Sequence, residues 1–241
     1  MNFLVNSSGL TGYPWRAMRT LSILAALLVL SSCASTSFNG DRQEHAFAER
    51  PDPLIGSLYM PKDTAQPVPA VVVVHGGGWV SRSGDMVSIS KQLAEAGFAA
   101  FNITYRLANE HPYPAAVNDV RDAIEWLKAN ATQYGIDPQR IGGWGYSAGG
   151  HLVLRAGLDP ELGLKAIVSG GTPANFEPWV GSSIIQQFIG ASFEEAPETW
   201  LDASPVNHVK PGSPSVFLYH GKNDSLVEPA QMQYMASALQ Q

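Results

Sequence analysis

Ala70-Val71-Val72-Val73-Val74 runs unbroken into His75-Gly76-Gly77-Gly78-Trp79. A β-branched run without polar alternation is the pattern of a strand buried on both faces, and such strands belong to parallel sheets covered by helices. The rest of the chain continues that theme. Residues 54–61 read as an early strand closed by proline, and residues 62–69 as a loop. Residues 86–96 have helical spacing and end at Gly97, a left-handed cap, before a strand at 99–103. Val117, Val120, Ile124 and Leu127 place an apolar stripe on a helix over 114–128. Residues 141–144 form a short strand that runs into Gly145-Tyr146-Ser147-Ala148-Gly149, and 166–169 and 215–220 are two more. Pro229 opens a closing helix with Met232, Met235, Ala236 and Leu239 on one face. Strands alternating with helices require crossover units, hence a mostly parallel α/β sheet that takes ligands at the C-terminal ends of its strands.

With 241 residues, 45% hydrophobic and 15% charged, the chain can bury one sizeable core. A net charge of −6 argues against a nucleic-acid partner, whose phosphates need a basic face. Residues 1–32 hold Arg16 and Arg19, no acid, and an apolar run from Leu21 to Leu30, the arrangement of a secretory signal. That run is too short for the ~20 residues of a bilayer-spanning helix. Leu30-Ser31-Ser32-Cys33 resembles the lipobox of bacterial lipoproteins, which makes Cys33 the expected lipidated residue; the alternative is an ordinary thiol at the end of a conventional signal. Cys33 is the only cysteine, so no intramolecular disulfide can form. Initiation at Met18 instead of Met1 gives a more usual signal length. Residues 33–50 are then expected to form a poorly ordered tether, with the domain proper at 51–241; the lipobox resemblance implies the cell envelope, with Ala34 and Ser35 resembling those of lipoproteins on the periplasmic face of the outer membrane, or else secretion.

Gly-x-Ser-x-Gly between a strand and a helix makes Ser147 the candidate nucleophile, on a turn that needs small residues two before and two after it. The bland alternative is an ordinary turn. Gly76 and Gly77, joined by Ala148, are the expected backbone N–H donors to an oxyanion. The glycine run lacks the ending of a nucleotide P-loop and the spacing of a dinucleotide fingerprint. Asp224 follows the 215–220 strand by a short loop, where a carboxylate could orient an imidazole; the alternatives are a turn-forming Asn223-Asp224-Ser225 cluster and Asp202 as the acid. None of His45, His75, His111, His151, His208 and His220 fits the base. Residues 172–213 hold Trp179, Ile184, Ile185, Phe188, Phe193 and Trp200, an aromatic-rich insertion read as a small lid of two short helices over an acyl pocket.

Together these residues resemble the α/β-hydrolase superfamily, and within it the carboxylesterases with a His-Gly-Gly-Gly-Trp motif, near the hormone-sensitive-lipase-like and feruloyl-esterase-like groups. Tyr105-Arg106-Leu107, Pro112-Tyr113-Pro114-Ala115 and Ser204-Pro205 look like family segments, and the resemblance covers about residues 52–241. Many relatives carry Asp where Tyr146 stands. The resemblance implies an α/β-hydrolase fold with a catalytic histidine after Asp224, following one more strand; the expectation is that the last strand and helix are missing from this chain, leaving the 215–220 strand as a sheet edge. It implies a small-molecule ester substrate and calls for no metal or organic cofactor; oligomeric state stays open. The leading expectation is a lipid-anchored esterase with Ser147 as nucleophile. A catalytically inactive, truncated hydrolase-fold lipoprotein, serving as a binding module or left as a gene relic, is the alternative, and an amide or peptide bond as substrate is a third.

Overall fold

The computed structural model describes residues 3–5, 38–62 and 64–240, so the apolar run and Cys33 lie outside the described residues. In chain order the strands are β1 Phe3–Val5, β2 Asp41–Ala48, β3 Leu54–Met60, β4 Val68–Val74, β5 Ala99–Ile103, β6 Ile136–Tyr146, β7 Ala166–Gly170 and β8 Ser215–Tyr219. The helices are α1 Met86–Glu95, α2 Ala115–Ala129, α3 Ala148–Gly157, α4 Ser183–Ile189, α5 Pro197–Ala203 and α6 Ala230–Leu239. They form one sheet in the order β1-β8-β7-β6-β4-β5-β3-β2. The centre, from β8 through β7, β6 and β4 to β5, is parallel, and β3, β2 and β1 pair antiparallel at the edges.

The unbroken apolar run in β4 follows from burial on both faces. Val72 and Val74 join the core with Phe101, Val120, Ile124 and Leu152, whereas Val71 and Val73 face Met86, Leu93 and Trp144 on the other side. Alternate side chains of a strand point to opposite faces, so a strand covered on both has no polar position to spare.

One expectation is corrected at the sheet edges. Residues 41–48, read from their lack of periodicity as part of a loose tether, form β2, with Asp41 opposite Met60 and Arg42 opposite Tyr59. The strand's exposed outer end is polar, so it carries no apolar signal, while Phe47 and Ala48 bury against the core. Arg50 then closes on α2, pairing with Asp122 and lying 3.2 Å from Asp119. At the opposite edge Phe3–Val5 pairs antiparallel with Val216–Leu218, but these three residues fall in the stretch read as a removable signal, so with that signal cut the sheet ends at β8 as expected.

The insertion contains the two expected short helices, α4 and α5, but it is no loose flap. Phe176, Phe188 and Trp200 are each 1% exposed or less, packed into the main core. Among the described residues no helix is long and apolar enough to cross a membrane.

Candidate active site

β6 delivers the chain into a sharp turn at Ser147, whose φ of 54° and ψ of −124° are strained for a residue with a side chain. The turn is held at both ends: the Ser147 N–H donates to Gly170 O at 2.8 Å, and its carbonyl accepts the His151 N–H at 3.0 Å. The glycines around it are dictated by contact. A Cβ on Gly145 would lie 2.4 Å from the Gly149 carbonyl, and one on Gly149 would lie 2.2 Å from Val74 O and 2.5 Å from His75 O. Helix α3 therefore crosses the end of β4 at backbone distance, which brings Ser147 beside the glycine loop. A Cβ on Gly76 would be 3.6 Å from Ser147 Cβ.

The loop after β4 has three successive positive φ values, at Gly77 (118°), Gly78 (58°) and Trp79 (63°). Gly77 O accepts Val80 N, Ser81 N and Ser81 Oγ at 3.0–3.2 Å, closing a tight turn. The expected role of Gly76 as an oxyanion donor is corrected here. Its N–H is consumed by Ser83 O at 3.1 Å, and Ser83 N–H returns to Gly76 O at 3.1 Å. The N–H groups of Gly77 and Gly78 have no acceptor among the described residues. Ala148 opens α3, so its N–H has no intrahelical partner. The free donors around Ser147 are thus Gly77, Gly78 and Ala148. Gly78 was visible in the motif, but the bridge from Ser83 was not.

Asp224 lies in the turn after β8, with Oδ1 accepting the N–H groups of Leu226 and Val227 at 3.0 Å each. Its Oδ2 is 3.6 Å from His220 Nε2, beyond hydrogen-bond reach. His220 Nε2 instead donates to Val227 O at 2.6 Å. Oδ1 thus makes the turn-forming contacts, and Oδ2 makes no hydrogen bond among the described residues. Asp202 is a structural residue: it binds Arg155 Nη2 at 2.7 Å and the Tyr113 hydroxyl, and its carbonyl accepts His208 Nε2 at 2.7 Å.

All six histidines are described, and none hydrogen-bonds Ser147 Oγ. His75 stacks on Tyr105 with centroids 4.1 Å apart, and its Nδ1 lies 2.7 Å from Gly76 O. Burial pushes its pKa down to about 4. His151 is fully buried; it accepts from Trp79 Nε1 at 3.1 Å on Nδ1 and donates from Nε2 to Ala203 O at 2.8 Å. Both nitrogens are spoken for, and desolvation holds its pKa down to about 3, so it is a neutral ring. His45 sits between Trp126 and Tyr134 in β2, far along the sheet from the turn.

The insertion covers one side of this site. Ile184, 40% exposed, stands with Cδ1 2.7 Å from where a Gly78 Cβ would be. Phe188 stacks on Trp79 at 4.4 Å, and Trp179 Nε1 donates to Glu228 Oε2 at 3.1 Å, joining the insertion to the segment after Asp224. On the other side the exposed Tyr146 ring lies over Gly171 and 6.2 Å from Tyr219. Among the described residues no group of three or more His, Cys, Asp or Glu side chains could hold a metal ion.

A helix-covered, mostly parallel sheet with a strained serine at the strand-to-helix turn defines the α/β-hydrolase class. Within it the chain belongs to the BD-FAE family, whose model matches residues 57–239. It is 31% identical over 188 residues to Esterase LipC of Mycobacterium tuberculosis, covering 67% of this chain and 46% of that protein. It is 39% identical over 154 residues to Carboxylesterase NlhH of the same species, covering 62% and 46%. The chain thus spans about half the length of the curated relatives it matches. Among solved structures, a truncated form of a carbohydrate esterase from gut microbiota aligns with a TM-score of 0.75 at 23% identity, covering 84% of this chain and 85% of that one. An acetyl ester-xyloside bifunctional hydrolase from Caldicellulosiruptor lactoaceticus aligns at 0.70 and 26%, covering 79% and 74%. By family, then, the chain is similar to carboxylesterases.

Proposed function

We propose that this domain cleaves small carboxylic esters through an acyl-enzyme at Ser147. The observation that carries the reading is the strained Ser147 turn set against a loop whose Gly77 and Gly78 N–H groups are unpaired. Ser147 Oγ attacks the ester carbonyl carbon, and the carbonyl oxygen, now an oxyanion, receives N–H groups from Gly77, Gly78 and Ala148. One such donor is worth ~3 kcal/mol of barrier. The serine proton passes to an imidazole and from it to the departing alkoxide, and water then releases the acid and restores Ser147. In this reading Asp224 Oδ2, which makes no hydrogen bond of its own, accepts the Nδ1–H of that imidazole, which is none of the six histidines described. Ile184 over Gly78 and the buried insertion favour short acyl groups. Cys33 as a lipid anchor in the cell envelope belongs to the same reading; metabolic labelling with a palmitate analogue, lost in Cys33→Ala, tests it.

The second reading, an inactive binding module, is favoured by the absence of any histidine bonded to Ser147; loss of the base costs ~10⁴ to 10⁶ in turnover. Fluorophosphonate labelling separates the two. The esterase reading expects Ser147 to be labelled, Ser147→Ala to be blank, and free imidazole in the buffer to accelerate labelling and p-nitrophenyl acetate hydrolysis, less so in Asp224→Ala. Hydrolysis equal in Ser147→Ala, or no labelling even with imidazole, would leave the inactive module as the function.

A further inference from the structure

Within the glycine loop, Trp79 holds a conformation that its own type resists. A left-handed φ costs a residue with a Cβ roughly 1–2 kcal/mol, yet the chain places its largest side chain there, at φ 63° and 2% exposed. The compensation comes from three elements. The indole stacks on Phe188 of α4 and meets Phe176 edge-on at 5.8 Å. Its carbonyl accepts Ala108 N–H at 2.9 Å. Its Nε1–H donates to Nδ1 of His151, one turn into α3 from Ser147. The same imidazole stacks on Phe176 at 5.0 Å and donates from Nε2 to Ala203 O at the end of α5. A single buried ring thus ties the oxyanion loop to the nucleophile helix and to the insertion.

We infer that His151 is a positioning residue: a doubly bonded strut that holds Trp79 in its left-handed conformation and thereby aims the Gly77 and Gly78 N–H groups at the oxyanion. The strut acts through the loop and touches no substrate. This inference rests on the esterase reading for its kinetic consequence, but the Trp79–His151 bond itself is open to observation without any turnover. A ring that only filled space would be replaced by phenylalanine without effect on the loop. Phenylalanine keeps the stacking on Phe176 and removes both hydrogen bonds, leaving the buried indole N–H and the Ala203 carbonyl unpaired. Glutamine can accept from the indole with its carbonyl and donate to Ala203 with its amide, so it restores the chemistry without the ring.

The test compares wild type, His151→Phe, His151→Gln, Trp79→Phe and the Trp79→Phe/His151→Phe pair. Proton–nitrogen NMR follows the indole N–H resonance that Trp79→Phe deletes. That resonance should exchange slowly in wild type and His151→Gln, and about 100-fold faster in His151→Phe. Imidazole-assisted p-nitrophenyl acetate turnover should fall about 10- to 100-fold in kcat in His151→Phe, with KM within about twofold, and recover most of that in His151→Gln. The double variant should be no slower than the worse single one, because both variants delete the same Trp79–His151 bond. Should His151→Phe fail to fold, Trp79→Phe carries the same kcat loss. An indole N–H unchanged in His151→Phe, or His151→Gln no better than His151→Phe, or additive losses, would overturn the strut. Wild type that neither labels nor turns over would sink the esterase reading instead, and the NMR comparison would still decide the bond.

Discussion

Replacing Gly149 with alanine probes the contact that brings Ser147 and the glycine loop together. The added Cβ would lie 2.2 Å from Val74 O, 2.5 Å from His75 O and 2.8 Å from His75 C, where ordinary contact begins at 3.4 Å. These are backbone atoms at the end of β4 and cannot rotate aside, so α3 must retreat by about 1 Å from a close-packed neighbour. Overpacking of this kind costs ~1–3 kcal/mol, and the upper end applies where backbone is struck. Alanine returns ~1 kcal/mol of helix propensity, for a net loss of about 2 kcal/mol. The retreat carries Ser147 away from Gly77 and Gly78, and a misplacement of that size costs ~100-fold in rate. Urea unfolding gives the first quantity as a lower midpoint at unchanged slope, and fluorophosphonate labelling of Ser147 with added imidazole gives the second. Gly97→Ala is the control. Its φ is +90° but no heavy atom lies within 4 Å of the added Cβ, so it should lose only the ~1–2 kcal/mol of a left-handed residue and leave labelling untouched. A Gly149→Ala protein as stable as wild type and labelled at the same rate would show that the helix and strand do not bear on each other as described.

The buried histidines set a pH dependence. An unfolded imidazole titrates near 6.5, whereas His75 and His151 titrate near 4 and 3 when folded. Between those values the unfolded chain binds more protons, so stability falls as pH is lowered below 6.5, by up to ~1.4 kcal/mol per pH unit for each ring. His151→Gln should make the urea midpoint fall less steeply over that window, and parallel curves would refute the assignment. Asp119 tests the link between β2 and the domain. Its carboxylate is fully buried and takes the Arg106 guanidinium at 2.7–3.1 Å and the Arg106 N–H at 2.8 Å, with Arg50 at 3.2 Å. Asp119→Ala strands the Arg106 guanidinium, while Arg50 keeps Asp122, and should cost about 3 kcal/mol in urea unfolding, near the low end for a buried pair because both arginines are partly exposed. A loss below ~1 kcal/mol would mean that water replaces the carboxylate freely.

Much of the site was legible because its constraints are local. A strained serine turn requires Gly145 and Gly149 within two residues on either side, and a doubly buried strand requires the run ending at Val74. Asp224 could be placed because it follows a strand by one short loop. Residues 41–48 were not legible, since a strand exposed along most of its length shows polar residues and no period. Gly76 misled because its place in the motif says nothing of Ser83, whose carbonyl takes the N–H. His151 could be seen to lie one turn behind Ser147, but not what its nitrogens bind.

Local pattern alone carries the alternation of buried strands and helices, the serine turn, the glycine loop and the place of Asp224 after β8, since backbone strain and side-chain period are written within a few consecutive residues. Only the tertiary structure decided which N–H groups stay free, that Trp79, His151 and Ala203 form one chain of hydrogen bonds, and that the insertion packs down as core. A hydrogen bond satisfied from far along the chain leaves no trace in the local pattern, and in this fold such bonds separate the donors available to an oxyanion from those already spent.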